Sequence, residues 1–149
     1  MSVLFSRQCE YALQAILYIS SKSDGGYTDI KEISNSLSIP HHFLAKILQS
    51  LSKRGLLRSQ KGPSGGFALS GGPDTITLYH IVEAIDGNAF LHDCVLGLPV
   101  CDGKNPCPVH EKWGELREEI HKLLTSKTIA EIVDELGTKP TVDEKTHIA

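Results

Sequence analysis

Apolar positions in the first half of the chain recur at intervals of three and four, then give way to two short strand-like pieces. Cys9, Ala12, Leu13, Ile16 and Leu17 fall on one helical stripe, which Ser6 is placed to cap and the polar run SSKSDGG ends. Thr28 is expected to cap a short second helix with Ile30, Ile33 and Leu37 inward. After the break SIP, Pro40 suits the first turn of a third helix, PHHFLAKILQSLSKRG, with Phe43, Leu44, Ile47, Leu48 and Leu51 as its buried stripe. Gly55 closes it, because glycine accepts the left-handed conformation that other residues resist. LLRSQ and GFALS, joined by KGPSGG, then read as a β-hairpin.

Further on, Thr77 is placed to cap a helix with Leu78, Ile81, Val82 and Ile85 inward, closed by Gly87. The stretch CVLGLPVCDGKNPCPVH reads as a loop, and HEKWGELREEIHKLLTS as a long helix with Trp113, Leu116, Ile120, Leu123 and Leu124 on one side. So small a chain has little core to cover that side, which predicts a dimerisation helix. Thr128 opens a last helix, TIAEIVDEL, closed by Gly137, and the polar tail KPTVDEKTHIA is expected to be disordered. The fold class is mainly α with a small β-hairpin wing: a winged helix-turn-helix plus a long dimerisation helix. Residues 1–73 are the expected DNA-binding region, 74–136 the cysteine loop and dimerisation helices, and 137–149 the tail.

Charge sharpens this picture. The 149 residues carry a formal net charge of −3, which alone argues against nucleic-acid binding. Yet residues 1–71 hold eight basic and four acidic side chains, residues 72–149 seven and fourteen, and no acid occurs from Ile33 to Pro73. A basic module with an acidic second half results. On the outer face of the third helix stand His42, Lys46, Gln49 and Lys53, at spacings of three and four. Such a helix suits a major groove, with Lys61 on the glycine-rich wing able to enter the minor groove. No apolar run approaches the ~20 residues of a membrane span, and Arg7 and Glu10 interrupt the first apolar segment, so no signal peptide is expected. The expected setting is a reducing cytoplasm, where four cysteines point to metal or redox chemistry rather than disulfides.

Three of those cysteines, Cys94, Cys101 and Cys107, crowd into one loop that His110 closes. The close Cys-x-x-Cys pair usual in zinc sites is missing, and the longer gaps suit a larger group such as an iron–sulfur cluster. From spacing, iron–sulfur, zinc and unligated thiols all remain open. Cys9 lies on a core stripe and reads as a small buried hydrophobe. Trp113 reads as a packing anchor under the loop, and His80, His92 and His121 as surface or packing residues.

CEYALQAI, LSIPHHFLAKILQSLSKRGLLRSQKGPSGGFAL, ITLYHIVEAIDG, the three-cysteine loop and HEKW together resemble the winged-helix iron–sulfur transcriptional regulators that include IscR, NsrR and RirA, over residues 1 to about 136. The resemblance implies a homodimer on double-stranded DNA at an inverted-repeat operator, with a cluster setting the affinity. It implies cluster ligation by Cys94, Cys101 and Cys107. For the fourth ligand, His110 matches the histidine of IscR-like 2Fe–2S sites, and Glu10 the carboxylate that NsrR-like members supply from the partner subunit. A 2Fe–2S cluster is the first expectation and 4Fe–4S the alternative, because the six-residue gap between Cys94 and Cys101 departs from IscR. Ala45 stands where IscR has a base-discriminating glutamate, so IscR's operator preference does not transfer.

The leading functional reading is a DNA-binding regulator, expected to repress, that senses iron, redox state or nitric oxide. Its alternative is a cluster-free regulator of the same fold acting through a protein partner or cysteine oxidation. An enzyme is not expected: the chain has no nucleotide-binding glycine motif, no nucleophile–base pair and little length left for a substrate pocket.

Overall fold

The computed structural model describes residues 4–22, 25–99, 104 and 106–137. Six helices and one hairpin follow in the order α1 (Arg7–Ser20), α2 (Ile30–Leu37), α3 (His41–Lys53), β1 (Leu57–Gln60), β2 (Gly66–Leu69), α4 (Leu78–Asp86), α5 (His110–Thr125) and α6 (Ile129–Leu136). A single 3-10 turn, Ala89–Leu91, stands between α4 and α5. The expected tail, from residue 138 on, lies outside the described residues.

Local chemistry sets most boundaries. Ser6 accepts from the Cys9 N–H at the start of α1, and Thr128 from that of Glu131 at the start of α6. At α4, Thr77 and His80 close a reciprocal capping box in which the Thr77 N–H donates to His80 Nδ1 at 3.0 Å. Gly55 and Gly137 take the positive φ that ends α3 and α6. α2 differs from expectation: Asp29, not Thr28, is its cap, accepting from the Lys31 N–H. Thr28 instead exchanges two backbone hydrogen bonds with Phe67 of β2, at 2.8 and 2.9 Å, fastening the hairpin to the start of α2. Pro40 likewise stands one position before α3, at its cap, rather than inside its first turn.

α1 is the central helix, and α2, α3, α4, α6 and β2 all pack against it. It therefore buries Ala15, Tyr18 and Ile19 beyond the expected stripe. Ile33, Leu37, Leu44, Leu48, Leu51, Ile81 and Ile129 complete this main core. A smaller cluster joins Cys9, Val82 and Leu124, tying α1, α4 and α5 together. Burial pushes the Cys9 thiol up to about 12, helped by the charge of Asp86, a hydrogen bond to it, and the charge of Glu10.

Two apolar stripes are narrower than the spacing predicts. Phe43 is 46% exposed, because the stripe of α3 centres on Leu44, Ile47, Leu48 and Leu51 and leaves position 43 at its margin. On α5 only Leu124 is fully buried, while Leu116 and Leu123 are 46% and 60% exposed. No described helix is long and apolar enough to cross a membrane.

Candidate nucleic-acid interface and metal centre

The outer face of α3 carries its expected polar set. His42, Lys46, Gln49 and Lys53 are all exposed, as is Lys61 on the turn between the strands. A groove of about 620 Å³ runs between helix and hairpin, and Gln49, Lys53 and Lys61 line it together. His42 and Lys46 lie outside it, further toward the start of α3. The hairpin register places Leu57 against Leu69 and Gln60 against Gly66. Its turn is tight enough to require glycine: a Cβ on Gly65 would collide with the Gln60 carbonyl oxygen, and one on Gly66 with that of Thr28. Lys53 and Lys61 outnumber Asp29, the α2 cap, along this open groove, and α3 and the hairpin carry no acidic residue, a balance that suits a polyanionic backbone.

Sequence reasoning assigned Phe43 to the core, yet the fold turns it outward beside His42, with ring centroids 4.4 Å apart. An aromatic exposed in this way has an apolar face of the kind that a thymine methyl group can meet. The available signal was its place at the edge of the stripe, one residue ahead of Leu44.

The thiols form the second candidate site. The sulfurs of Cys94 and Cys107 stand 3.9 Å apart. α5 creates that proximity. Trp113 Nε1 donates to the Asp93 carbonyl at 2.9 Å, and Arg117, one turn later, donates through Nη1 to the Leu91 carbonyl at 2.8 Å. The limb leading to Cys94 is thereby stapled along the helix. At the other limb, the His110 N–H donates to the Cys107 carbonyl at 3.0 Å, setting Cys107 against the first residue of α5. Sequence reasoning saw Trp113 as an anchor but missed Arg117, whose role depends on where the loop runs.

His110 is half-buried within a turn of Cys107, and Glu10 stands in the first turn of α1. Cys101 lies outside the described residues. Among the described residues no three metal-ligating side chains converge. The pair itself fits a metal: two thiolates on one tetrahedral ion, each ~2.3 Å from it, stand ~3.8 Å apart. Two cysteines sharing one iron is the arrangement of a 2Fe–2S cluster with four protein ligands.

Comparison with known proteins places the chain among regulators of transcription. The sequence pattern of the Rrf2 family, described as iron-dependent transcriptional regulators, matches residues 5–135. A candidate HTH-type transcriptional regulator of Aquifex aeolicus is 38% identical over 135 residues, 89% of this chain and 92% of its own. The HTH-type transcriptional regulator IscR of Yersinia pestis is 32% identical over 124 residues, 83% of this chain and 75% of its own. In structure, CymR, the global cysteine regulator of B. subtilis, superposes with a TM-score of 0.75 at 24% identity, over 90% of this chain and 98% of its own. IscR of T. potens does so at 0.73 and 21%, over 100% and 94%. The chain therefore belongs to the Rrf2 family, whose members are winged-helix regulators of transcription and not enzymes.

Proposed function

We propose that this protein is a homodimeric, DNA-binding repressor whose affinity for an inverted-repeat operator is set by an iron–sulfur cluster. The observation that carries this reading is the pair of cysteine sulfurs 3.9 Å apart, beside the contacts that α5 makes with both limbs of the loop. Cys94 and Cys107 would share one iron, which favours 2Fe–2S over 4Fe–4S. Cys101 and His110 would complete the set, with Glu10 of a second copy as the other candidate for the fourth position. When bound, the cluster supplies an iron centre open to oxidation, nitric oxide and iron scarcity.

The chain's own residues do the rest. Val109, Trp113, Leu116, Ile120 and Leu123 recur at intervals of four and three, the spacing of a helix–helix seam, and Val109, Leu116 and Leu123 are exposed. That seam supports a dimer through α5, which would present two copies of α3 to half-sites about 34–36 Å apart or a multiple. His42, Lys46 and Gln49 would read or approach bases, while Lys53 and Lys61 neutralise phosphates. Lys53 and Lys61 outnumber Asp29 along the groove, which fits this role in the cytoplasm.

Anaerobic purification with iron and sulfide analysis and Mössbauer spectroscopy tests the reading. Equal iron and sulfide, lost in Cys94→Ala and Cys107→Ala, is the expected result. His110→Ala should change the spectrum and potential while Glu10→Ala leaves both intact, and the reverse pattern would give the fourth position to Glu10. A colourless, iron-free protein that still binds its operator would reject the cluster.

A further inference from the structure

We propose that Phe43 determines part of the DNA specificity: its phenyl ring meets the C5 methyl group of a thymine in the major groove, so one position of each half-site is read as T by an apolar contact. The proposal rests on the DNA-binding reading above and adds to it the chemistry of one base.

Three observations single Phe43 out. Exposed apolar residues are ordinary on a protein surface, but this one stands third in α3, on the turn that a recognition helix presents to base edges. Helical side chains lean toward the start of their helix, which carries the ring further toward that end. The ring is also 46% exposed, at the margin between the buried stripe and the polar face, three positions before the exposed Lys46. A helix laid with His42 and Lys46 in a groove therefore brings Phe43 within reach of the same base pairs. Lastly, the His42 imidazole lies against the ring, with centroids 4.4 Å apart and planes tilted by 36°. That neighbour restricts the ring's rotation, so less freedom is lost when DNA docks.

Chemistry then selects the base. A phenyl ring has no conventional hydrogen-bond donor or acceptor. Set against N7 and O6 of guanine, N6 of adenine or N4 of cytosine, it would strip water from polar atoms and replace nothing. Among the bases, thymine presents an apolar group in the major groove, its C5 methyl.

Deoxyuridine pairs as thymidine does and lacks only that methyl, which makes it the probe. The full chain selects its preferred duplexes from a random-sequence library, and each thymine of the selected site is replaced in turn by deoxyuridine. In the wild type one such replacement per half-site should weaken binding about 4-fold, the worth of one buried methyl-sized group, and replacement in both half-sites about 15-fold. Phe43→Ala, with its helix content checked by circular dichroism, should bind the thymine and deoxyuridine duplexes alike at that position. Both proteins meet the same DNA, so any change in duplex stiffness cancels in this comparison. Lys61→Ala should instead weaken both duplexes equally and keep the 4-fold difference. A wild type indifferent to every deoxyuridine, or a Phe43→Ala variant that retains the full difference, would overturn the inference while leaving DNA binding intact. A wild type that enriches no sequence would overturn the DNA-binding reading, and the inference with it.

Discussion

Trp113→Phe removes one hydrogen bond and little else, which makes it a measured cut at the staple under the thiols. The indole Nε1 donates to the Asp93 carbonyl at 2.9 Å, and Trp113 belongs to neither apolar cluster, so a phenyl ring keeps most of the local packing. A neutral hydrogen bond contributes about 0.5–1.5 kcal/mol net. If loop opening requires breaking it, the opening equilibrium rises about 2- to 13-fold by the same figures. Water can reach the exposed Asp93, which favours the lower end. Hydrogen exchange on the full chain reads this directly. Exchange of the His92 and Asp93 amides, which bond to the Ala89 carbonyl, and of Gly97, which bonds to that of Cys94, should accelerate by that factor. Leu91 should respond less, because Arg117 still holds its carbonyl at 2.8 Å. Amides of α1 and α3 should not change. Unaltered exchange at residues 92–97, or equal acceleration throughout the chain, would refute the staple.

Two other perturbations separate the halves of the molecule. Lys61→Ala should weaken operator binding and lower the slope of log K against log salt by ~0.9 for each phosphate left without its cation; an unchanged slope in a filter-binding salt series would remove the wing from the interface. Cys9 bears on alkaline stability. Its pKa is raised in the fold from 9.0 to about 12, so between those values the native state holds a proton that the unfolded chain has released. Stability should therefore fall as pH rises through 9 toward 12, and Cys9→Ala should flatten that slope in urea titrations even though its poorer packing lowers stability at every pH.

What the sequence made legible follows from range. Ser6, Thr77 and Thr128 cap helices a few residues away, and Gly55 ends one, so their roles could be read from neighbours alone. Thr28 could not be read in this way. It looks like a cap, but its partner is Phe67 in a strand formed much later, and Asp29 takes the cap instead. Phe43 misled for a related reason: spacing locates a stripe to within one residue, and the packing partners decide which margin is covered. At the cysteine loop, residue types indicated metal or redox chemistry, while the pairing of Cys94 with Cys107 did not follow from order along the chain. It depends on Trp113 and Arg117, two α5 residues whose carbonyl partners only the folded loop supplies.

The clasp between Thr28 and Phe67 constrains how this regulator can let go of DNA. Gly66 lies flush against the Thr28 carbonyl with no room for a side chain, and both backbone bonds run between the hairpin and the residue preceding the Asp29 cap. α2 in turn packs on α3. Hairpin, α2 and α3 are thus linked into one head, and the wing cannot fold back alone without breaking the clasp. A release signal arriving from the loop would have to swivel each head whole. In the proposed dimer such a switch would act as callipers do, changing the span between two jaws, and should discriminate operators by the spacing of their half-sites more sharply than by any single base.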